Sequence, residues 1–299
     1  MEAGITIAKA KVRRGCLILA AVLLLGVFAR GAVAAEPLRV LFVGNSQIYT
    51  ANLPAVLDAL GEANGRPIDS EMLVKGGATL AERVADGSVE RVLDQRHFDG
   101  VVLQERGGDL ICPRTDICEA AQASVVAVKA LAATIREHEA APVLLGTYQR
   151  VPRVSELLLV TETRAARDAS MPYVAVSGAY VQGLDSHPEL PWHDPDGGHP
   201  GAQLALLDAV LLYRELFDTW PGTGGFAVTA PMYTPHTRFF PPLLASEKVL
   251  VRDARVLRRA HRLGNLVDAV IDDAGAFAHE DRVGRAIGRG RGLVLVVHQ

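Results

Sequence analysis

Ser46, Asp196 and His199 are the residues of this chain whose types and placement could perform acyl transfer. The run Arg39-Val-Leu-Phe-Val-Gly-Asn-Ser46 is apolar until Gly44-Asn45, where a strand should end and a helix begin. A serine hydroxyl is a weak nucleophile unless a base takes its proton. His199 could be that base. Asp196 precedes it by three residues, so one turn can present both side chains toward one point. The carboxylate would fix the imidazole tautomer and stabilise the imidazolium that forms. Each piece also has a plainer reading. Serine is a good helix N-cap, and Asp194-Pro-Asp196-Gly-Gly is rich in turn formers. Asp194 is a rival orienter with a less suitable spacing.

Acyl transfer also needs donors aimed at the developing oxyanion, each worth about 3 kcal/mol. Gly76-Gly77-Ala78-Thr79 offers a backbone free to approach a substrate. Gln104 could direct its amide N–H₂ to the same point. An ordinary strand-ending turn and a buried, satisfied glutamine are the plain alternatives. A metal reading is also open, because His193, Asp194, Asp196 and His199 form a dense N/O cluster. Water activated by such a metal would hydrolyse esters as well. His97, Glu105 and Asp109 are further partners for an ion, though nothing forces them into the set. Gly-x-Ser-x-Gly, Gly-x-Gly-x-x-Gly and a Walker A lysine are missing from the sequence. An ordinary α/β-hydrolase and a nucleotide-binding protein are therefore disfavoured.

These residues need a scaffold, and the segment pattern supplies one. Leu38–Val43, Ile68–Val74, Gly100–Gln104, Pro142–Tyr148 and Tyr173–Val176 read as strands. Leu53–Ala63, Ala120–His138, Ser155–Asp168 and Ala202–Phe217 read as helices, with Leu53, Val56, Leu57 and Leu60 on one face of the first. This alternation predicts a parallel sheet of about five strands covered on both faces. Ligands of such sheets sit at the carboxyl ends of the strands. Topology alone therefore places Ser46, Gly76-Gly77 and Gln104–Arg106 on one rim.

Composition sets the compartment. Residues 1–34 read as a signal peptide: Lys9, Lys11, Arg13 and Arg14 precede an apolar core from Cys16 to Phe28, and Ala32-Val33-Ala34 follows. The core is shorter than the roughly 20 residues that span a bilayer. An uncleaved anchor is the alternative. Removing residues 1–34 takes away five basic residues and one acidic, leaving 26 against 33 and a net charge of −7. No nucleic-acid partner and no stable membrane span after cleavage are expected. A periplasmic or secreted protein follows, and there Cys112 and Cys118 could close a local disulfide.

Together the short blocks resemble the SGNH (GDSL-like) hydrolase superfamily over roughly residues 38–218. The resemblance places the nucleophile in Gly44-Asn45-Ser46, an oxyanion N–H at Gly77, and the base and its orienter in Asp196-Gly-Gly-His199. It implies a flavodoxin-like three-layer α/β/α sandwich over residues 35–225. It also implies a Ser46-His199-Asp196 esterase that needs no cofactor and has Ser46, Gly77 and Gln104 as oxyanion donors. The third block departs from the family's Gly-x-Asn and reads Gln104-Glu105, like some carbohydrate-esterase branches; Arg106 and Asp109 are the alternatives there. The expected substrate is a small-molecule or carbohydrate ester, with acetyl as the acyl group. A glycan-binding protein without turnover is the rival from another class. Residues 226–299 are an extension of unassigned role, with a helix over Leu250–Ile271, a strand over Leu293–Val297 and a basic stretch from Arg252 to Arg262.

Overall fold

In the computed structural model, residues 36–111, 118–231, 233–237 and 261–262 are described. Strand β1, Leu38–Gly44, alternates two apolar sets. Val40 and Phe42 join one buried cluster, Leu41 and Val43 the other. A strand buried on both faces must be central, and it is. β2 (Ile68–Val74) pairs with it in parallel from Leu38↔Ile68 to Gly44↔Val74. β3 (Gly100–Leu103) pairs on its other side, from Val40↔Gly100 to Val43↔Leu103. β4 (Ala141–Leu145) and β5 (Tyr173–Val174) complete a five-stranded parallel sheet in the order β2-β1-β3-β4-β5. This is the flavodoxin-like order. The chain leaves β1 toward one edge and returns to its other side, so a crevice opens beside the carboxyl end of β1.

Helices cover both faces. Helix α1 is a single turn, Ser46–Tyr49. The Val40/Phe42 face packs against α2 (Leu53–Ala63), α7 (Val176–Ser186) and α8 (Ala202–Phe217). In α2 the expected stripe Leu53, Val56, Leu57 and Leu60 is the buried one. The Leu41/Val43 face packs against Leu80 of α3 (Leu80–Asp86), Val89 and Leu93 of α4 (Ser88–Gln95), and Leu131 and Ile135 of α5 (Glu119–Glu137). Helix α6 (Pro152–Asp168) lies against α5 and α7. The fold is a three-layer α/β/α sandwich.

Four sequence expectations change, and the first is that Pro142–Tyr148 is not wholly a strand, because β4 ends at Leu145. Tyr173–Val176 is not wholly a strand, because Val176 already begins α7. Residues 80–95 hold two short helices that the sequence reading omitted, split by Gly87 at φ +61°. His261–Arg262, inside the expected helix, instead form β7, which pairs antiparallel with β6, Ala227–Val228. The signal segment 1–34, Cys112 and the expected strand Leu293–Val297 lie outside the described residues. Within residues 226–237, Phe226 and Tyr233 join the main core.

A buried acid ties the distal edge together. Glu162 Oε1 on α6 accepts from Thr147 N at 2.9 Å and Thr147 Oγ1 at 2.7 Å, and Tyr173 donates to Oε2 at 2.8 Å. Burial pushes its pKa up to about 7 despite these bonds. A carboxyl whose folded pKa is raised stabilises most below its unfolded value of about 4.3, and that contribution fades as pH rises through the folded value. Urea unfolding should therefore lose part of its free energy between about pH 4 and 7. Glu162→Gln should make that decline shallower; an unchanged slope would remove Glu162 as its source.

Candidate active site

The crevice at the carboxyl end of the sheet is a cleft of ≈ 590 Å³, with Ser46, Gly77 and His199 among its lining residues. Ser46 is the first residue of α1 and is only 9% exposed. It is not the cap. Asn45 is the N-cap, and its Oδ1 accepts from Gln47 N at 3.1 Å. Asn45 Nδ2 also donates to Ala78 O at 3.2 Å, tying β1 to the loop after β2. The Ser46 hydroxyl is thus left for another partner.

That partner is His199. Its Nε2 lies 2.9 Å from Ser46 Oγ, and its Nδ1 lies 2.5 Å from Asp196 Oδ2. The connection from α7 to α8 builds this geometry as a tight turn. Asp194 N donates to His199 O at 2.9 Å, Gly201 N to Trp192 O at 2.8 Å, and Gly197 N to Asp194 O at 2.9 Å. Gly197 takes φ +74°, a conformation suited to glycine. Asp196 Oδ1 accepts from the N–H groups of Gly198 and His199, at 2.9 and 3.0 Å. Chiefly through the His199 N–H bond, the Asp196 carboxyl is held down at about 2. The polar turn and the Asp196–His199 contact are therefore one structure. Its outer side is held by Tyr148, whose hydroxyl donates to Gly198 O at 2.8 Å.

Gly76 and Gly77 follow β2 and face the same cleft. Gly77 takes φ +69°, and a Cβ on Gly76 would lie 2.9 Å from the Tyr49 hydroxyl. Neither the Ser46 N–H nor the Gly77 N–H has an acceptor among the described residues. Both are available to an oxyanion. Tyr49 stands three residues after Ser46, on the same side of α1. Its pKa is raised by burial and lowered in part by a hydrogen bond with Ser46, and its hydroxyl donates to Pro235 O at 3.2 Å.

Gln104 is a correction. It is 1% exposed and does not line the cleft. Its Nε2 donates to Gly146 O at 3.1 Å, because β4 runs beside β3 and offers that carbonyl. Glu105 is also structural. It accepts from Leu80 N at the start of α3 and from Arg106 N, and burial raises its pKa. It anchors the end of the Gly76–Thr79 loop to β3. Arg106 and Asp109 pair with each other.

The alternative cluster does not converge. Asp196 and His199 bond one another, and Tyr180 OH bonds His193 Nε2 at 2.8 Å. Burial, and then the Arg150 charge, lower the His193 pKa. Among the described residues no group of three or more His, Cys, Asp and Glu side chains could hold a metal.

Sequence reasoning missed Asn45, Tyr49, Tyr148 and Arg150. Tyr49 carried one usable signal, its helical spacing from Ser46. It missed Pro235 too, which reaches the cleft from the segment assigned to the extension. Thr50 bridges Tyr233, and Asn52 Nδ2 donates to Pro231 O at 2.9 Å, fixing that segment.

No family model matches the chain, and no curated protein matches it. Solved structures do. A DUF4886 family protein from Bacteroides uniformis is 16% identical, covering 82% of this chain and 96% of that one, with a TM-score of 0.52. TesA is 19% identical over 60% of this chain and 98% of its own, with a TM-score of 0.47. Axe2, an acetylxylan esterase from Geobacillus stearothermophilus, is 16% identical over 62% and 96%, with a TM-score of 0.48. In fold, the chain is similar to the DUF4886 family protein. At these identities the likeness concerns architecture alone.

The depressed Asp196 pKa has a measurable consequence. A carboxyl lowered on folding adds stability above its unfolded value of about 3.9, and loses it as pH falls through the folded value. Melting temperature should therefore drop between about pH 4 and 2, and Asp196→Asn should flatten part of that limb. An identical acid limb in the variant would contradict the assignment.

Proposed function

We propose that the chain is an exported serine esterase that hydrolyses a carboxylic ester through an acyl-enzyme. The observation that carries this reading is the linked pair of contacts, Ser46 Oγ to His199 Nε2 at 2.9 Å and His199 Nδ1 to Asp196 Oδ2 at 2.5 Å. Ser46 Oγ attacks the ester carbonyl carbon while His199 Nε2 takes its proton. Asp196 Oδ2 fixes the tautomer that leaves Nε2 unprotonated, and then stabilises the imidazolium. The carbonyl oxygen becomes an oxyanion held by the N–H groups of Ser46 and Gly77. Each donor is worth about 3 kcal/mol when pre-aimed, because the donors pay no reorganisation during reaction. The intermediate collapses, the C–O bond breaks, and the leaving alkoxide takes the proton from His199. Water attacks the acyl-enzyme by the same route and regenerates Ser46.

The cleft favours a polar alcohol. Gln47, Gln149, Arg106 and Arg150 line it, with Tyr148, Val151 and Pro235 as its larger apolar surfaces. This supports a small acyl group, acetyl first, on a carbohydrate. Export rests on the signal-like segment 1–34, which places the chain in the periplasm or outside the cell. A Cys112–Cys118 disulfide belongs to the same reading. Among the described residues no helix is long and apolar enough to cross a membrane.

A fluorophosphonate should label the intact protein at Ser46, and Ser46→Ala should abolish both labelling and short-chain ester hydrolysis. His199→Ala should lower kcat by roughly 10⁶ and Asp196→Asn by roughly 10⁴. EDTA should leave the rate unchanged. Activity lost to EDTA and restored by a divalent ion would replace the serine mechanism with the metal one. Neither labelling nor hydrolysis, in a protein that still binds glycans, would make it a binding protein.

A further inference from the structure

Resting on the esterase reading above, we propose that the cleft selects esters carrying a carboxylate and that Arg150 is the residue that pairs with it. The lining of the cleft includes two arginines and no aspartate or glutamate. The two arginines are not equivalent. Arg106 has its guanidinium occupied by Asp109, through Nε to Oδ2 at 2.8 Å and Nη2 to Oδ1 at 3.2 Å. Arg150 has no hydrogen bond and no ion pair among the described residues. Neither Asp194 nor Asp196, the acids of the adjoining turn, pairs with Arg150 among the described residues. Asp196 serves His199 and two backbone N–H groups, and Asp194 Oδ1 faces the Asp196 N–H at 3.4 Å.

Position supports selection as well as charge. Arg150 lies in the segment between β4 and α6, beside the Asp196–His199 turn. Its Nη1 is 3.9 Å from where a Cβ on Gly197 would stand. The segment is braced by Ser155 Oγ, which donates to Gln149 O at 2.5 Å. The next residue, Val151, is the N-cap of α6 and also lines the cleft, and no side chain caps that helix. The positive end of a 17-residue helix therefore adds to the guanidinium field. The whole chain is acidic, with a formal net charge of −3. Its overall field repels anions, so attraction must come from this local site. A planar guanidinium with an open fork suits a carboxylate, which it can bind with two parallel N–H···O bonds.

The carboxylate could belong to the acyl part or to the alcohol part, and matched substrates separate the two. The first pair is 4-nitrophenyl hydrogen succinate against 4-nitrophenyl butyrate. The second is O-acetyl glucuronate against O-acetyl glucose. In one pair the wild-type protein should show a kcat/KM ratio, anionic over neutral, of about tenfold or more. That ratio should shrink as ionic strength rises. It should collapse toward unity in Arg150→Ala, survive in part in Arg150→Lys, and invert in Arg150→Glu. A ratio cannot be moved this way by a general loss of folding. Neutral esters cleaved with no preference for the anion in either pair, or a preference untouched by Arg150→Ala, would overturn the proposal. If no ester in either pair is cleaved and Ser46 takes no fluorophosphonate, the esterase reading itself is what fails.

Discussion

One hydrogen bond joins side chains 153 positions apart, His199 Nε2 to Ser46 Oγ at 2.9 Å, and the sandwich is what makes it possible. Ser46 can meet His199 only if β1 is central and ends at the crevice between β1 and β3. That placement requires β1 to be apolar on both faces. The two clusters that bury Val40 and Phe42 on one side and Leu41 and Val43 on the other meet this requirement. The base comes from the opposite end of the domain, where α7 and α8 are held on the same face as α2. Core packing thus brings the two side chains together, which neither local turn could do alone.

Local hydrogen bonds then divide the labour. Asn45 caps α1, which frees Ser46 from the role its sequence context suggests. Asp196 braces the turn through Oδ1 and the imidazole through Oδ2, so one carboxylate shapes the loop and tunes the base. Glu105 holds the start of α3 and with it the Gly76–Gly77 approach. Tyr148 reaches across to Gly198 and prevents the turn from swinging outward. Apart from the Asp196–imidazole contact, these bonds fix backbone atoms. Backbone positions therefore limit how accurately the Ser46 and Gly77 N–H groups and the imidazole can be aimed.

Much of this was legible in the sequence. Helices Leu53–Ala63 and Ala202–Phe217 and strand Ile68–Val74 begin and end where their apolar spacing puts them. Their burial faces are dictated by their own residues. Short elements were harder to read. The helices at residues 80–95 are only seven and eight residues long and split at Gly87, and β5 is only two residues long. That Ser46, Asp196 and His199 meet, with Gly77 at the same cleft, was readable from the turn-forming residues around them. Gln104 was misjudged because a side chain at a strand end can face either the cleft or the neighbouring strand. The carbonyl of Gly146 decided the matter. Pro235 and Arg150 depend on which loops the fold brings together, and no local pattern encodes that.

The central claim is that Ser46 becomes covalently acylated during turnover. The direct measurement is to mix the protein with 4-nitrophenyl acetate, quench in acid within the first turnover, and map the acetylated peptide by mass spectrometry. The account predicts a burst of nitrophenolate close to one equivalent per active site and acetyl on Ser46, both absent in Ser46→Ala. Steady hydrolysis with no burst and no acylated peptide, persisting in Ser46→Ala, would contradict it.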